Sequence, residues 1–459
     1  MSNDLKQLAA DVVKRAMAGG AAAAECVVRE GDEFSSVVRL GQVETLKESG
    51  GRSMGLRVFF DSNGGSANNG GSRAASTYTS DFSKEGVDQM VTGALALAKV
   101  TSADPYAGLP AAGQFGQLPG DLALYYDDVY SLPTEERIAQ ARRAEAAAMS
   151  ADPRISNSDG GSFDAATGNK VLANSLGFVG EYRRSYCSLS AVPIAQQDGH
   201  MQRDFWYSVA RTLAKLESPE SVGKTAAART VRRLGARKVP TARVPVVFEP
   251  MVARTLVENI FEAVNGDSIY RGASFLAGKL GEQVAGENVN VIDDGTIPGG
   301  FGTSPFDGEG VPTRRTVVIE RGVLKSYLLN TYTARKLNLA TTGNAARGLA
   351  GTPGIGVGNF FLEAGEKTAE QIIGEIPDGL YVTEFLGFGV NLVTGDFSRG
   401  ASGLWIRNGE LAFPVEEITV AGNLREMFRN ITAIGSDLEF RGAVAAPTIR
   451  IDGLTVAGE

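Results

Sequence analysis

Apolar positions recur every three to four residues over several stretches of the chain and alternate with polar ones over most of the rest. Leu5, Leu8, Val12 and Ala16 share one face of a helix over residues 4–18, which Gly19-Gly20 ends. Val87, Met90, Val91, Ala94 and Ala98 do the same over residues 83–99. A further helix begins near Thr134, with Glu135 and Glu136 in its first turn facing the positive end of the dipole. Ser218-Pro219-Glu220-Ser221 starts another, with a capping serine and a proline at the first helical position, and Gly235 ends it. Between these helices the period shortens. ECVVRE, FSSVVRLGQVETLKES and SMGLRVFF, within residues 23–60, read as strands of an antiparallel meander separated by Gly-Asp and Gly-Gly turns. Residues 155–209 again favour strands.

Beyond residue 236 the pattern centres on one helix. The run Val244–Phe248 reads as a buried strand. Glu249 and Pro250 mark the first turn of a helix in which Val252, Leu256, Ile260 and Val264 share a buried face, with Val257 beside it, and Asn265-Gly266 stops it. A strand at 289–293 follows, then a glycine-rich loop, Asp294–Gly310, of a length that is functional or disordered in compact chains. TRRTVVIERGVLKSYLL predicts a hairpin turning at Arg321-Gly322, Thr333–Leu339 a short helix, Asn408-Gly409 a second hairpin turn, and Thr448–Val456 a closing strand. The expected fold is α+β. Residues 1–236 form an N-terminal domain of antiparallel strands with packed helices. Residues 237–459 form a strand-rich C-terminal domain, barrel-like or sandwiched, with the boundary at the proline-containing RKVPTARVP, 237–245.

Composition narrows the function. The 459 residues carry a net charge of −8 and no long basic run, which gives no support to a nucleic-acid partner. The short basic cluster Arg229, Arg232, Arg233, Arg237 and Lys238 reads as a solvated helix end. Cys26 and Cys187 are far apart and no CxxC occurs, so neither a zinc ribbon nor a redox dithiol is indicated. The first residues lack a signal-peptide core and no stretch is long enough to span a membrane, so a soluble cytoplasmic protein is expected. The single histidine, His200, excludes motifs with two or three histidine ligands within the chain and is expected on a strand beside a turn. Residues 61–80, rich in Gly, Asn and Ser, lack the GK[ST] ending of a phosphate loop and read as a turn or flexible tip leading into a strand.

Several long motifs carry a family resemblance. GDSIYRGASFLAGKLGE, VIDDGTIPGGFGTSPFDGEGVPTRRTVVIERGVLKSYLLNTYTARKL, TGN and GDFSRGASGLWIRNGELAFPVEEITVAGNLREMF follow one another in the order found in the TldD/PmbA family, and the N-terminal half fits more loosely. That family was named for a proposed modulation of DNA gyrase and is regarded as peptidases. In its TldD branch a His-Glu-x-x-x-His helix and a cysteine near the C-terminus would hold zinc, with the glutamate as general base. Aligned through Gly266-Asp267, that motif falls on Val257-Glu258-Asn259-Ile260-Phe261-Glu262, and Ile434–Pro447 contains no cysteine. The chain therefore resembles the PmbA (TldE) branch. The resemblance implies a subunit without its own zinc, in a cytoplasmic metalloprotease whose TldD-type partner carries the metal. It implies action on small or unfolded peptides, including precursor processing and antitoxin turnover. A homodimeric, non-enzymatic peptide-binding or regulatory protein is the alternative from a different class, and a carboxylate-based hydrolase using Glu258 a third.

The residues themselves offer a few candidate sites. Glu258 and Glu262 share a helix face and Asp267 follows, a set that suits a hard cation or a general base, or simply a solvated acidic face. Asp293, Asp294 and Gly295, with Asp307 and Glu309, bracket the long loop and are expected either to shape a groove for an extended peptide or to serve turn chemistry. Gly354–Gly358 is a weak dinucleotide signal. Asn359, Phe360 and the two residues after them read as an edge strand able to take up a peptide by strand addition.

Overall fold

The computed structural model describes residues 2–61 and 71–458. Most of the glycine-rich tip read within residues 61–80 lies outside the described residues. The chain before residue 235 forms α1 (Ser2–Ala18), β1 (Ala23–Arg39), β2 (Gln42–Asp61), β3 (Ser72–Thr79), α2 (Lys84–Val100), α3 (Thr134–Ser150), β4 (Ile155–Asn174), β5 (Val179–Gln197), β6 (His200–Arg203), β7 (Trp206–Ala210) and α4 (Pro219–Val231). The strands make one antiparallel sheet in the order β3-β2-β1-β4-β5-β6, with β7 also on β5.

The expected three-strand meander is instead a single long hairpin. Its turn is Leu40-Gly41, whose φ angles of 49° and 76° suit a tight turn. Gly31-Asp32 and Gly50-Gly51 do not turn at all, since Gly31 pairs with Gly51 and Asp32 with Gly50 in mid-strand. Glycine at position 31 answers a steric demand. A Cβ there would come 2.2 Å from the Thr167 carbonyl oxygen of β4.

The helices cover this sheet, α1 and α2 with the face their period predicts. Val12 and Ala16 of α1 and Val87, Met90 and Val91 of α2 pack on Met54, Leu56 and Val58 of β2. Ala141, Ala144 and Ala148 of α3 and Val222 and Ala226 of α4 pack on Phe34, Phe163 and Leu189. The α3 and α4 backbones touch at Gly223, where a Cβ would lie 2.2 Å from the Ala144 carbonyl. Ser218 caps α4 by accepting from the Ser221 N–H.

The remaining elements are β8 (Ala242–Phe248), α5 (Pro250–Val264), α6 (Gly266–Tyr270), β9 (Val291–Asp294), β10 (Arg315–Glu320), β11 (Val323–Leu324), α7 (Thr331–Leu337), β12 (Ala345–Ala346), β13 (Gly354–Ile355), β14 (Asn359–Leu362), α8 (Ala369–Gly374), β15 (Asp378–Leu386), β16 (Asp396–Arg407), β17 (Glu410–Asn423), α9 (Leu424–Arg429), β18 (Ile431–Ile434), β19 (Val444–Ala445) and β20 (Ile449–Ala457). Strands β17-β16-β15-β8-β20 follow one another, and β17 pairs again with β20, so five strands close into a barrel and β18 extends it beyond β20. A second sheet runs β11-β10-β9-β14-β19. Helix α5 lies against both, and Phe248, Leu256, Val257, Ile260, Phe360 and Trp405 belong to one continuous core. Arg321-Gly322 and Asn408-Gly409 turn their hairpins as predicted, with left-handed φ at all four residues. The segment after β12 crosses to the first sheet so closely that a Cβ on Gly55 would overlap the Leu349 carbonyl. No helix among the described residues is long and apolar enough to cross a membrane.

Candidate functional site

Helix α5 starts at Pro250, where the missing N–H costs nothing, and presents its apolar stripe to the core. That stripe decides the fate of the three motif positions. Val257 is 1% exposed and packed in the core. Glu258 is half-buried and faces Arg254 one turn earlier, at 3.5 Å. Glu262 is at the surface, where the burial it has and the Glu258 carboxylate raise its pKa. Asp267, also exposed, pairs with Arg271 at 2.9 Å. The three carboxylates thus share an acidic stretch without converging, and no described group of three or more His, Cys, Asp or Glu is placed to hold a metal ion. A buried valine and two arginine-facing or exposed glutamates do not fit a zinc site. The segment Ile434–Pro447 nevertheless does lie beside α5, because its strand β19 packs on that helix.

Where α5 meets this segment there is a cleft of about 560 Å³, which sequence reasoning missed. Pro250, Met251 and Arg254 line one side, Asp437, Glu439 and Arg441 another, and Trp206 and Tyr207 of β7 close it. Charge fills its floor. Glu249, 3% exposed, receives the Arg229 Nη2 at 2.7 Å and the Arg232 Nη2 at 3.1 Å, and Asp204 adds a contact to Arg229 at 3.4 Å. Arg441 stacks over Trp206 at 4.1 Å and pairs with Glu439. Arg229, Arg232 and Arg233 are therefore not a solvated helix end, whereas Arg237 and Lys238 after them are exposed. Arg233 pairs with Glu384 at 2.7 Å, Lys238 with Glu417 at 2.9 Å, and Arg237 stacks on Phe413 at 3.7 Å. The last turn of α4 abuts the C-terminal half, and charges taken out of water there must be paired. The available signal was the matching acid at Glu249, directly after an apolar strand.

The long loop is held from within by the residues predicted to line a groove. Asp293 accepts from the Gly358 N–H at 2.7 Å and the Asn344 amide at 2.6 Å, and its burial raises its pKa to about 6. Asp294 accepts from the Thr296 N–H and hydroxyl at 2.8 and 2.6 Å. At Gly295 a Cβ would meet that of Thr313 at 2.6 Å. Asp307 accepts three backbone N–H groups, from Glu309, Val311 and Ala345, and burial together with the Glu309 charge raises its pKa. Glu309 accepts from the Thr331 N–H at 2.9 Å. Asn359 donates to the Asp294 carbonyl and Thr303 hydroxyl and accepts from the Gly302 N–H. Asp293, Asp307, Glu309, Asn359 and Phe360 are all 5% exposed or less. The crevice beside Asp293 and Asp307, about 80 Å³, is too small for a peptide chain.

The edge-strand expectation is overturned. β14 pairs with β9 on one side, Phe360 opposite Asp293, and with β19 on the other, Phe360 opposite Val444. Both ladders are occupied, so no peptide can add there, and the fully buried Phe360 ring packs edge-on against Phe261 of α5. Gly354-Ile355 pairs with β12 and leads to a strand, which is not the strand-to-helix setting of a dinucleotide loop. His200 is exposed at the start of β6, beside the Asp198-Gly199 turn, as expected.

Family models of the PmbA/TldA metallopeptidases match the chain in three parts: domain 1 at residues 24–98, the central domain at 127–234 and the C-terminal domain at 241–458. The metalloprotease PmbA of Escherichia coli O157:H7 is 37% identical over 95% of this chain and 92% of its own length. A protein of Bacteroides thetaiotaomicron described as a modulator of DNA gyrase superposes with a TM-score of 0.90 at 26% identity, covering 99% of both chains. TldE of Thermococcus kodakarensis shares the fold, with a TM-score of 0.85 at 21% identity over 98% of this chain and 99% of its own. With three domain models in register and a full-length relative above a third identical, the chain belongs to the PmbA/TldD family, on its PmbA branch.

Proposed function

We propose that this chain is the PmbA/TldE-type subunit of a two-component cytoplasmic metalloprotease, in which a TldD-type partner holds the zinc and this chain completes the assembly. The observation that carries the reading is Val257. At the first ligand position of the family's motif stands a side chain without a lone pair, 1% exposed and built into the core. Glu262 stands at the second, and the neighbouring segment 434–447 offers no thiolate. The backbone arrangement of helix and C-terminal segment is present while its donor set is not. The substrates on this reading are small or unfolded peptides.

The test is metal content and peptidase activity of the chain alone and mixed with a TldD-type protein from the same genome. About one zinc per heterodimer, with activity only in the mixture, is the expected result. Stoichiometric zinc and activity in the isolated chain would overturn the proposal.

A further inference from the structure

An open cleft lies away from α5, on the first sheet. It encloses about 590 Å³, within the range of small-ligand sites. Register explains why it is open. Gly51, Gly31 and Gly168 stand opposite one another on β2, β1 and β4, and Arg184 of β5 continues the row. Three adjacent strands thus contribute no side chain at this level, and a Cβ on Gly51 would meet nothing within 4 Å.

The walls carry three arginines that the cleft's own glutamates do not pair with. Arg29, Arg184 and Arg211 all line the cleft, and among the described residues none of them has a carboxylate within ion-pair distance. Arg211 is 7% exposed. It donates to the Ser185, Gly300 and Phe301 carbonyls, while its Nε has no partner. Burial and the Arg184 charge lower the pKa of Arg211 to about 10 and also depress that of Arg29. Arg184 is exposed and Arg29 half-buried, but the Arg211 guanidinium is buried beside them with no described carboxylate bonded to it, a placement that an anionic ligand would relieve. The Phe301 ring lies 5.2 Å from the Arg211 guanidinium, and Tyr182, Tyr186, Glu30 and Glu33 share the same cleft.

We infer that this cleft binds short peptides through their free C-terminal carboxylate, held by Arg184 and Arg29 above Arg211. Planar guanidinium groups match a carboxylate bidentately. The aromatic walls suit the terminal side chain, and the two glutamates suit the ammonium at the other end of a short chain. A nucleic-acid strand fits less well, because the glutamates and the net charge of −8 break any continuous basic track. The inference rests on the peptide-processing reading above for its ligand class.

The test is calorimetric titration of the isolated full-length chain with Ala-Ala-Phe, with its C-terminal amide, and with inorganic phosphate. The free acid is expected to bind at least tenfold more tightly than the amide. Arg184→Gln should remove that preference. Gly51→Leu, which fills the cleft without changing charge, should weaken the acid about tenfold. Unchanged melting temperatures of both variants exclude misfolding as the cause. Equal affinity for acid and amide overturns the inference, as does a preference that survives Arg184→Gln. Phosphate binding that depends on Arg184 without any tripeptide binding also overturns it, marking a simple anion site. Because this titration needs neither partner nor zinc, its failure leaves the two-component proposal standing, and failure of that proposal leaves a positive titration intact.

Discussion

The Glu25 carboxylate on β1 lies 2.6 Å from the guanidinium of Arg347, in the segment that follows β12, and both side chains are cut off from solvent. Arg57 of β2 reaches the same Glu25 oxygen at 2.6 Å. Glu309, buried in the long loop, supplies a second negative charge felt by Arg57 and Arg347. Two acids and two arginines therefore balance where the first sheet meets the C-terminal half. Each charge was moved from water at a cost that only the others offset. Arg347→Met, which leaves Glu25 with one partner, is expected to lower the unfolding free energy by about 3–5 kcal/mol in urea titrations. Adding Glu25→Leu to it should recover part of that loss. A single substitution within about 1 kcal/mol of the parent would contradict this account.

Asp293 makes stability depend on pH in a direction opposite to that of surface-paired acids. Its burial raises the pKa to about 6 from an ordinary 3.8. Between those two values the folded chain keeps a proton that the unfolded chain has released, so unfolding releases protons. The contribution of Asp293 is fully present below about pH 4 and is lost as pH rises through about 6. The difference amounts to about 3 kcal/mol. Asp293→Asn should flatten the fall in stability from pH 4 to 6, followed by denaturant midpoints. The slope is the readout, because the amide also disturbs the bond from Asn344 whatever the pH. An unchanged slope would show that the carboxyl titrates normally.

Phe360 tests the corrected place of β14. A fully buried aromatic between two ladders is a core residue, so Phe360→Ala is expected to cost about 3–5 kcal/mol through the cavity it leaves. Peptide affinity of the fraction that stays folded should be unchanged. Thermal melts and a peptide titration on the same sample separate the two effects. Weaker peptide binding at unaltered stability would restore the strand-addition idea.

What could be read from the chain was whatever depends on local period. The α5 stripe from Val252 to Val264, the caps at Ser218 and Asn265, and the turns at Arg321-Gly322 and Asn408-Gly409 each follow from a few neighbouring residues. Features set by distant residues were not legible. Gly31-Asp32 looks like a turn in its own window, yet its glycine answers a carbonyl of β4, 136 residues on. The four residues of β14 carry no mark of having β9 on one side and β19 on the other. Barrel closure depends on Thr419 meeting Ala457. The arginines of α4 looked solvated because Glu249 and Glu384, which neutralise them, come later in the chain. The motif helix was found from sequence because a missing ligand is itself a local fact, whereas the cationic cleft needed the sheet register to assemble it.

Within the His-Glu-x-x-x-His motif Glu258 is the position at which this chain keeps the motif's residue, and its surroundings argue against a chemical role. A general base needs a lone pair free and aimed at the proton it takes. Glu258 instead faces Arg254 at 3.5 Å with its side chain 43% exposed, an i,i+4 surface pair worth a few tenths of a kcal/mol. Arg399 lies close enough to feel its charge. Glu258→Gln is therefore expected to leave kcat/KM of the mixture with a TldD-type partner within about twofold, and stability within about 0.5 kcal/mol. Loss of a working general base would instead cost about 100-fold or more. A drop of that size, with the melting temperature unchanged, would mean that α5 of this chain reaches the reacting centre and that the catalytic glutamate is shared between the two subunits.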